Sequence, residues 1–254
     1  MKLGGYAHSN GITFFCDVFK LKTTKTRGKT EHQLEWILPG KWLRKLEKKP
    51  IIGGISFFYY QWKIIDRRIR VALLLLMNIF ILEEFVPLPF ITDLLDAPPI
   101  NETYLYGGLL LGFILSFRKI SRLLRYHGAE HKVINSYLMY GSVDFSTVKE
   151  APRFNKRCGS NLVMIFLILY GIIYYLNYDP LWLQLLLFLL TLQIFKKIMA
   201  KDSKYDYLIN ALQWITVWEP RDEEIQVAIK GFAKLHQSYI IYQKEVLERR
   251  QLKS

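Results

Sequence analysis

The chain has 254 residues and a formal net charge of +13 at pH 7, and it is 51% hydrophobic and 15% aromatic. This apolar fraction is high for a globular domain of that length and favours a membrane protein. The basic residues flank apolar segments without any helix-turn-helix, zinc-finger or RNA-binding signature, which argues against nucleic acid as a partner. The only two cysteines, Cys16 and Cys158, exclude a disulfide framework and are typical of a reducing compartment.

Residues 1–50 are mostly polar and basic and predict a small cytoplasmic β-hairpin unit. One stretch alternates with a period of two, which is typical of a strand, and its apolar side carries His32, Leu34, Trp36 and Leu38. The preceding residues 12–21 are rich in aromatic and β-branched side chains, and residues 26–29 favour a turn. Residues 51–70 end in a cluster of arginines and predict an amphipathic helix lying on a membrane surface.

Four apolar segments follow, at residues 71–90, 102–117, 162–178 and 181–195. A spanning helix needs about 20 apolar residues, with about 17 as the usual lower limit, so the segments predict four spanning or membrane-embedded helices. The first is the weakest, because Glu83, Glu84 and two prolines interrupt it. Residues 71–117 are expected to form the first two membrane helices. A turn at 177–180 makes residues 160–197 a membrane helical hairpin.

The distribution of basic residues predicts an orientation for these helices. Fifteen Lys or Arg lie in residues 1–70, nine in residues 118–159 and 11 in residues 196–254, whereas residues 83–103 carry none. Positive residues stay on the cytoplasmic side during insertion, so both termini and the loop 118–159 are expected inside. The loops that contain Ala97 and Asn177 are then expected outside.

Together these features predict a mainly α-helical, multi-pass membrane helix bundle in the bacterial cytoplasmic membrane. Its expected partners are the lipid bilayer and a membrane-protein or cell-envelope component. The competing interpretation is a globular protein that buries its four apolar helices, since buried helices are often this short. Residues 198–254 predict a cytoplasmic segment with an amphipathic helix, whose stripe comprises Ile225, Ala228, Ile229, Phe232 and Leu235. We expect the stripe to pack on the cytoplasmic unit, with a membrane surface as the alternative.

The predicted loop 118–159 contains the first chemical motif. His127 and His131 recur at helical spacing with Leu124, Ile134 and Leu138, so both histidines are expected on one apolar face. Residues 127–131 read H-x-x-E-H, the inverse of the commoner zinc signature. Imidazoles one turn apart can converge on one ion, while a neighbouring carboxylate polarises a water molecule. Two packed or hydrogen-bonded histidines are the competing interpretation.

Two further residues are candidates for the same site. Cys158 precedes the third apolar segment, where a helix N-terminus and nearby basic residues favour a thiolate, so it could be a metal ligand or a nucleophile. The alternative is a small buried hydrophobe without reactivity. Glu219, within Thr216-Val217-Trp218-Glu219-Pro220, is the other candidate ligand, and its competing interpretation is a helix-start residue.

These motifs together resemble a bacterial family, domain of unknown function 1385, that is described as predicted metal-dependent membrane proteins. The match is specific in residues 126–132 (YHGAEHK), residues 157–159 (RCG), Thr216 and Glu219-Pro220. Weaker echoes are Gly4-Gly5 with Gly11, Asn101-Glu102 and Val227-Ala228-Ile229. The resemblance covers nearly the whole chain and implies a membrane protein with metal chemistry.

The chain departs from that family in its opening motif, which usually reads G-G-Q-A-V-I-E-G. Tyr6, His8 and Asn10 stand in the Gln, Val and Glu positions. If the family's Glu belongs to a site, this chain lacks it. His8 is then either an alternative ligand or a structural residue of the loop.

The leading hypothesis is a metal-dependent hydrolase whose site opens at the cytoplasmic face. His127 and His131 would bind a divalent metal, zinc by preference, with Glu219 as the third ligand and Glu130 as the catalytic general base. The residues expected around these ligands are Cys158, Arg157 and Thr216. The substrate stays open among a membrane-proximal peptide, a lipid and a cell-envelope precursor. The alternatives are a non-catalytic membrane scaffold or assembly factor, in which both motifs are structural, and a transporter.

Overall fold

The computed structural model describes residues 3–38, 59, 62–85, 102–176, 181–200 and 206–252. Four strands come first: β1 (Gly4–His8), β2 (Gly11–Phe15), β3 (Phe19–Thr26) and β4 (Lys29–Trp36). The sheet has the order β1-β2-β3-β4, so each strand pairs with the next one along the chain. The structure therefore has a four-stranded sheet where the sequence predicts a hairpin.

Short turns join the strands of this sheet. Between β3 and β4, Arg27 and Gly28 both have positive φ, of 50° and 81°. Two such residues give a tight turn whose twist matches that of the flanking strands, and Gly28 adopts this conformation without steric cost. β1 and β2 are likewise joined by two residues, Ser9 and Asn10.

Helices form the rest of the described chain. They are α1 (Arg67–Phe85), α2 (Glu102–Tyr140), α3 (Phe145–Glu150), α4 (Gly159–Tyr175), α5 (Leu181–Ala200), α6 (Asp206–Ile209), a 3₁₀ turn (Asn210–Leu212), α7 (Gln213–Thr216) and α8 (Asp222–Gln251). The 39 residues of α2 give it a length of about 58 Å. The second predicted membrane segment and the H-x-x-E-H motif thus belong to one continuous helix.

The chain divides into two compact units. The first comprises Met1, Phe15–Lys20 and Glu35–Arg118, and the second comprises Lys2–Phe14, Leu21–Leu34 and Lys119–Ser254. In the first unit Val18, Phe19, Ile37 and Ile64 are buried. The buried Lys20 there is neutralised by Glu35, with 3.2 Å between Nζ and the carboxylate, and donates to the Lys63 carbonyl at 3.0 Å.

The core of the second unit lies where β2 and β3 meet α8. Four members of the predicted stripe on α8 are buried: Ile225, Ala228, Phe232 and Leu235. Phe232 packs edge-on against Phe14, with 5.9 Å between the ring centroids. Gly231 allows this approach, because a β-carbon there would stand 2.7 Å from the Thr23 hydroxyl oxygen. Helical periodicity therefore identified the buried face of α8.

The predicted membrane bundle is wrong. Within the described residues, no helix combines the length and the apolar character that crossing a membrane requires. Helix α1 begins with three arginines in four residues and ends near two glutamates. The apolar part of α2 continues directly into Arg118 and Lys119. Helix α4 has only 17 residues. A 17-residue helix is about 26 Å long, against about 30 Å for a bilayer core.

The predicted multi-pass membrane location, with both termini cytoplasmic, depended on those spans and is overturned with them. Many large apolar side chains on α1, α2 and α4 are nevertheless exposed, such as Leu75, Leu110 and Ile172. High apolar content therefore predicted apolar segments in these regions. It did not establish that any of them spans a membrane.

Other predictions lie outside the described residues. The surface helix at 51–70 is described only at Tyr59 and from Trp62 onward. The turn at 177–180 and the outward loop that contains Ala97 fall in ranges without a description. The surface helix and the turn stay as predictions, whereas the outward placement of the loop is overturned with the membrane spans.

Candidate metal centre

The part of α2 that carries both histidines is enclosed on nearly all sides. From residue 126 to residue 136, every residue except His127 is buried. Gly128 permits a close approach, because a β-carbon there would collide with the carbonyl oxygen of Trp218. The Trp218 main-chain N–H donates to the Leu124 carbonyl at 3.1 Å. The segment after α7 therefore lies directly against this part of α2.

His127 and His131 lie one helical turn apart, with 4.5 Å between their ring centroids. Nδ1 of His127 lies 2.9 Å from the carbonyl oxygen of Thr216, and Nδ1 of His131 lies 2.7 Å from that of Arg153. A carbonyl oxygen only accepts, so Nδ1 carries a proton in both rings, and Nε2 is the nitrogen that holds the lone pair whenever the ring is neutral. Carbonyls commonly orient metal-bound histidines in this way.

Cys158 joins the histidines from the N-cap position of α4. Its Sγ lies 3.4 Å from Nε2 of His127, and the Ser160 hydroxyl donates to the same sulfur at 3.1 Å. In the described part of the chain, His127, His131 and Cys158 form a group that could hold a metal ion, with one ligand atom from each lying within 4.8 Å of the others. Ligand atoms of a tetrahedral zinc site lie about 3.5 Å apart, so the spacing of His127 and Cys158 already fits.

Buried carboxamides hold the loop that carries Cys158. The side chain of Gln213 donates to the Asn155 carbonyl at 2.8 Å and to Oδ1 of Asn161 at 2.7 Å, and it accepts from the Asn155 main-chain N–H at 2.9 Å. The Asn135 amide donates to the carbonyls of Pro152 and Phe154 at 2.7 and 3.0 Å. These bonds satisfy main-chain groups of a partly buried loop and fix its conformation.

The sequence interpretation missed these carboxamides. Asn and Gln are usually exposed, so their types alone gave no indication of a role in a buried network. One available signal was the position of Asn135, four residues after His131 and therefore on the same helix face.

Glu130 lies between the two histidines in sequence and is 4% exposed. Its Oε2 has no hydrogen-bond partner among the described residues. Burial raises the pKa of this carboxyl from 4.5 to about 7, while the charge of His127 acts in the opposite direction. A β-carbon on Gly5 would stand 2.8 Å from Cγ of Glu130, so β1 passes directly over this side chain. Glu130 can therefore exchange a proton near neutral pH.

Glu219 is placed among cations. Its carboxylate lies 2.8 Å from Nζ of Lys132 and 3.8 Å from the Arg153 guanidinium, and its side chain is 59% exposed. Lys132 also donates to the Lys149 carbonyl at 2.9 Å. The structure thus brings Cys158, and not Glu219, to the two histidines. Glu219 instead pairs with Arg153, whose main-chain carbonyl accepts a hydrogen bond from His131.

The other residues predicted for the site, Thr216, Arg157 and His8, do not belong to the ligand group. Thr216 accepts from His127 through its main-chain carbonyl, while its hydroxyl donates to the Leu212 carbonyl at 2.9 Å. Arg157 donates from its main-chain N–H to Asn155 at 2.8 Å, and its side chain is exposed. Nε2 of His8 lies 2.7 Å from the Thr13 hydroxyl, and His8 does not belong to the ligand group.

Comparisons with known proteins agree with the motifs. The family described as protein of unknown function (DUF1385) matches residues 61–238, more than two thirds of the chain. The uncharacterized protein YqhQ of Bacillus subtilis (strain 168) is 36% identical over 145 residues, which are 50% of this chain and 45% of that protein. The chain thus aligns with less than half of that relative's length. No solved structure matches. The resemblance inferred from the motifs is confirmed.

Proposed function

We propose that this chain, which belongs to the DUF1385 family, is a zinc-dependent hydrolase with its metal site at His127, His131 and Cys158. The observation that carries the proposal is the convergence of three ligand atoms within 4.8 Å. Both imidazoles are already held by carbonyls in the tautomer that a metal needs. Sγ of Cys158 lies 3.4 Å from Nε2 of His127, and an ion bound by both atoms would displace the thiol proton.

The ligand types favour zinc. Two imidazoles and one thiolate suit a borderline-soft ion, whereas magnesium and calcium take oxygen ligands. Structural zinc sites have four protein ligands, and catalytic sites have three with an open fourth position. The group has three such residues within the described chain, which supports a catalytic site.

Glu130 is the general base of the proposed reaction. The ion would supply Lewis acidity to a water molecule and to the substrate carbonyl. The carboxylate of Glu130 would take a proton from the water and pass it to the leaving group, a role that suits a pKa of about 7. Zinc deaminases divide the work in the same way, with a glutamate that is not a ligand.

A non-catalytic scaffold is the second candidate function. One observation favours it: the Cys158 sulfur already has hydrogen-bond contacts with Ser160 and His127, so the group is satisfied without a metal. In that case the histidines, the cysteine and the carboxamides would serve only to fasten the loop 151–158 to α2.

Metal analysis separates the two candidates. The full chain is purified from zinc-supplemented cells, and its metal content is measured by mass spectrometry. We expect about one zinc per chain, lost in the His127→Ala, His131→Ala double variant, because a single remaining ligand rarely retains zinc. Glu219→Ala is the matched control, and we expect it to retain the ion.

The proposal fails if the wild-type chain, correctly folded at neutral pH, binds no divalent transition metal. It also fails if the double variant retains the ion at the wild-type level. Absence of bound metal in a correctly folded chain would favour the scaffold.

A further inference from the structure

The two cysteines of the chain lie in different surroundings. Cys16 is 2% exposed, and the nearby Val18 and Phe19 are buried as well. Its sulfur accepts the main-chain N–H of Phe19 at 3.4 Å, and burial raises the pKa of the thiol. A cysteine in such a place packs as a small hydrophobic residue and is inert. Cys16 therefore provides an internal reference for the reactivity of Cys158.

Cys158 lies instead at the rim of the proposed metal site. The residues on either side of it in the chain, Arg157 and Gly159, are exposed. The two side chains that contact its sulfur, those of His127 and Ser160, belong to partly exposed residues. Solvent therefore reaches the immediate surroundings of this sulfur, although Cys158 itself is only 9% exposed.

The polar contacts of Cys158 suit a negatively charged sulfur. The Ser160 hydroxyl donates to Sγ at 3.1 Å. Cys158 is also the N-cap of the 17-residue α4, where the helix dipole favours negative charge. Cysteine binds zinc in its deprotonated form, so the sulfur would be a thiolate whenever the ion is present. The thiolate is the form of cysteine that peroxides oxidise.

We propose that Cys158 is a site of modification by hydroperoxides, and that its oxidation releases the metal ion and stops the proposed hydrolysis. The inference rests on the proposed metal site and concerns its regulation. After oxidation, His127 and His131 would remain from the ligand group, and two protein ligands rarely hold zinc. Loss of the sulfur ligand would therefore empty the site.

The oxidation forms an S–O bond and breaks the O–O bond of the peroxide. The sulfur attacks one oxygen of hydrogen peroxide, and hydroxide leaves with the electron pair of the broken bond. Sulfur loses two electrons and the peroxide gains them, while zinc departs as Zn²⁺ without a change in oxidation state. The product is a sulfenic acid, whose sulfur has lost the charge of the thiolate ligand.

An external thiol reverses the modification. Its sulfur displaces water from the sulfenic acid and forms a mixed disulfide with Cys158. A second external thiolate then attacks the disulfide, so that the two external sulfurs join and the Cys158 thiolate is released. Cys16 does not supply the reducing thiol, because its sulfur lies among buried residues. Zinc can bind again once the thiolate has been restored.

Peroxide treatment of the zinc-loaded full chain tests the inference. Dimedone traps the sulfenic acid, peptide mass spectrometry locates it, and a chromophoric chelator measures the released zinc. We expect Cys158 to be modified at least about 10-fold faster than Cys16. Zinc release should keep pace with that modification, at about one ion per modified chain. In a parallel sample without dimedone, dithiothreitol and added zinc should restore the bound ion.

Three outcomes would overturn the inference and leave the metal site standing. Zinc could stay bound after Cys158 has been modified, zinc could be released while Cys158 stays unmodified, or Cys16 could react faster than Cys158. A wild-type chain that binds no zinc would overturn the proposed function together with this inference.

Cys158→Asp provides an independent test. Aspartate can ligate zinc and is not oxidised by peroxide, so the zinc that this variant holds should stay bound during the same treatment. Cys16→Ala is the matched control, because it removes the other cysteine and leaves the ligands in place, and it should release zinc at the wild-type rate. Release from Cys158→Asp at that rate would contradict the inference. If Cys158→Asp holds no zinc, the ratio of released zinc to modified Cys158 in the wild-type chain decides.

Discussion

Nε2 of His127 lies 3.4 Å from Sγ of Cys158, although 31 residues separate them in the chain. The histidine comes from the middle of α2 and the cysteine from the residue that precedes α4. Their contact brings the two specific motifs of the sequence, H-x-x-E-H and R-C-G, into one group.

Substitution of the cysteine tests its role as third ligand. Cys158→Ser keeps the approximate shape and should lower zinc affinity by more than about 100-fold, since even residues behind the ligands typically contribute 10- to 100-fold. Affinity is measured by competition with a chromophoric chelator. Glu219→Gln should leave it nearly unchanged, because Glu219 pairs with Lys132. A large loss in Glu219→Gln with none in Cys158→Ser would restore Glu219 as the ligand.

Glu130→Gln should separate metal binding from hydrolysis. The amide keeps the shape of the side chain and cannot accept a proton from water, so zinc content should stay at the wild-type level. The rate of hydrolysis of a simple ester such as p-nitrophenyl acetate should fall by about 100- to 10,000-fold. Undiminished hydrolysis by zinc-loaded Glu130→Gln would exclude this carboxyl as the base.

In the metal-free protein, titration of Glu130 should make the free energy of unfolding depend on pH. Burial raises the pKa of this carboxyl to about 7 from 4.5. The folded state therefore holds the proton more tightly than the unfolded state. The resulting stabilisation is complete below about pH 4.5 and lost as pH rises through about 7, a change of about 3 kcal/mol.

Denaturant unfolding with chelator measures this change. Between pH 4.5 and 8, the free energy of unfolding of wild type should fall relative to that of Glu130→Gln. Glu150→Gln, on the exposed surface of α3, is the control and should parallel wild type. Parallel curves for wild type and Glu130→Gln would show that the carboxyl is not buried as described.

Gln213 should influence the metal site without touching it. Gln213→Ala leaves the buried main-chain N–H of Asn155 without its partner, which should cost about 1–3 kcal/mol of stability. Because the same loop presents Cys158, zinc affinity should also fall by about 10- to 100-fold. The exposed Gln226→Ala should change neither quantity. A loss of stability with unchanged zinc affinity would indicate that the loop keeps its position without this side chain.

Part of the fold could be predicted from short-range patterns. The buried stripe on α8 and the strand β4 follow periods of 3.6 and 2 that each segment expresses alone. β1 was missed, because a glycine-rich stretch of five residues shows no alternation and pairs only when β2 lies beside it. The membrane helices were predicted wrongly, since apolar content alone does not establish a span.

The sequence by itself determined that His127, Glu130 and His131 lie close together, because helical spacing is a local property. Only the tertiary structure decided which third residue joins them. Cys158 and Glu219 were both available, and their positions depend on buried contacts between distant segments: the carboxamide of Gln213 holds the cysteine loop, while Lys132 and Arg153 pair with the glutamate. Such contacts leave no periodic trace in the chain, so only the three-dimensional arrangement indicates Cys158 as the candidate third ligand.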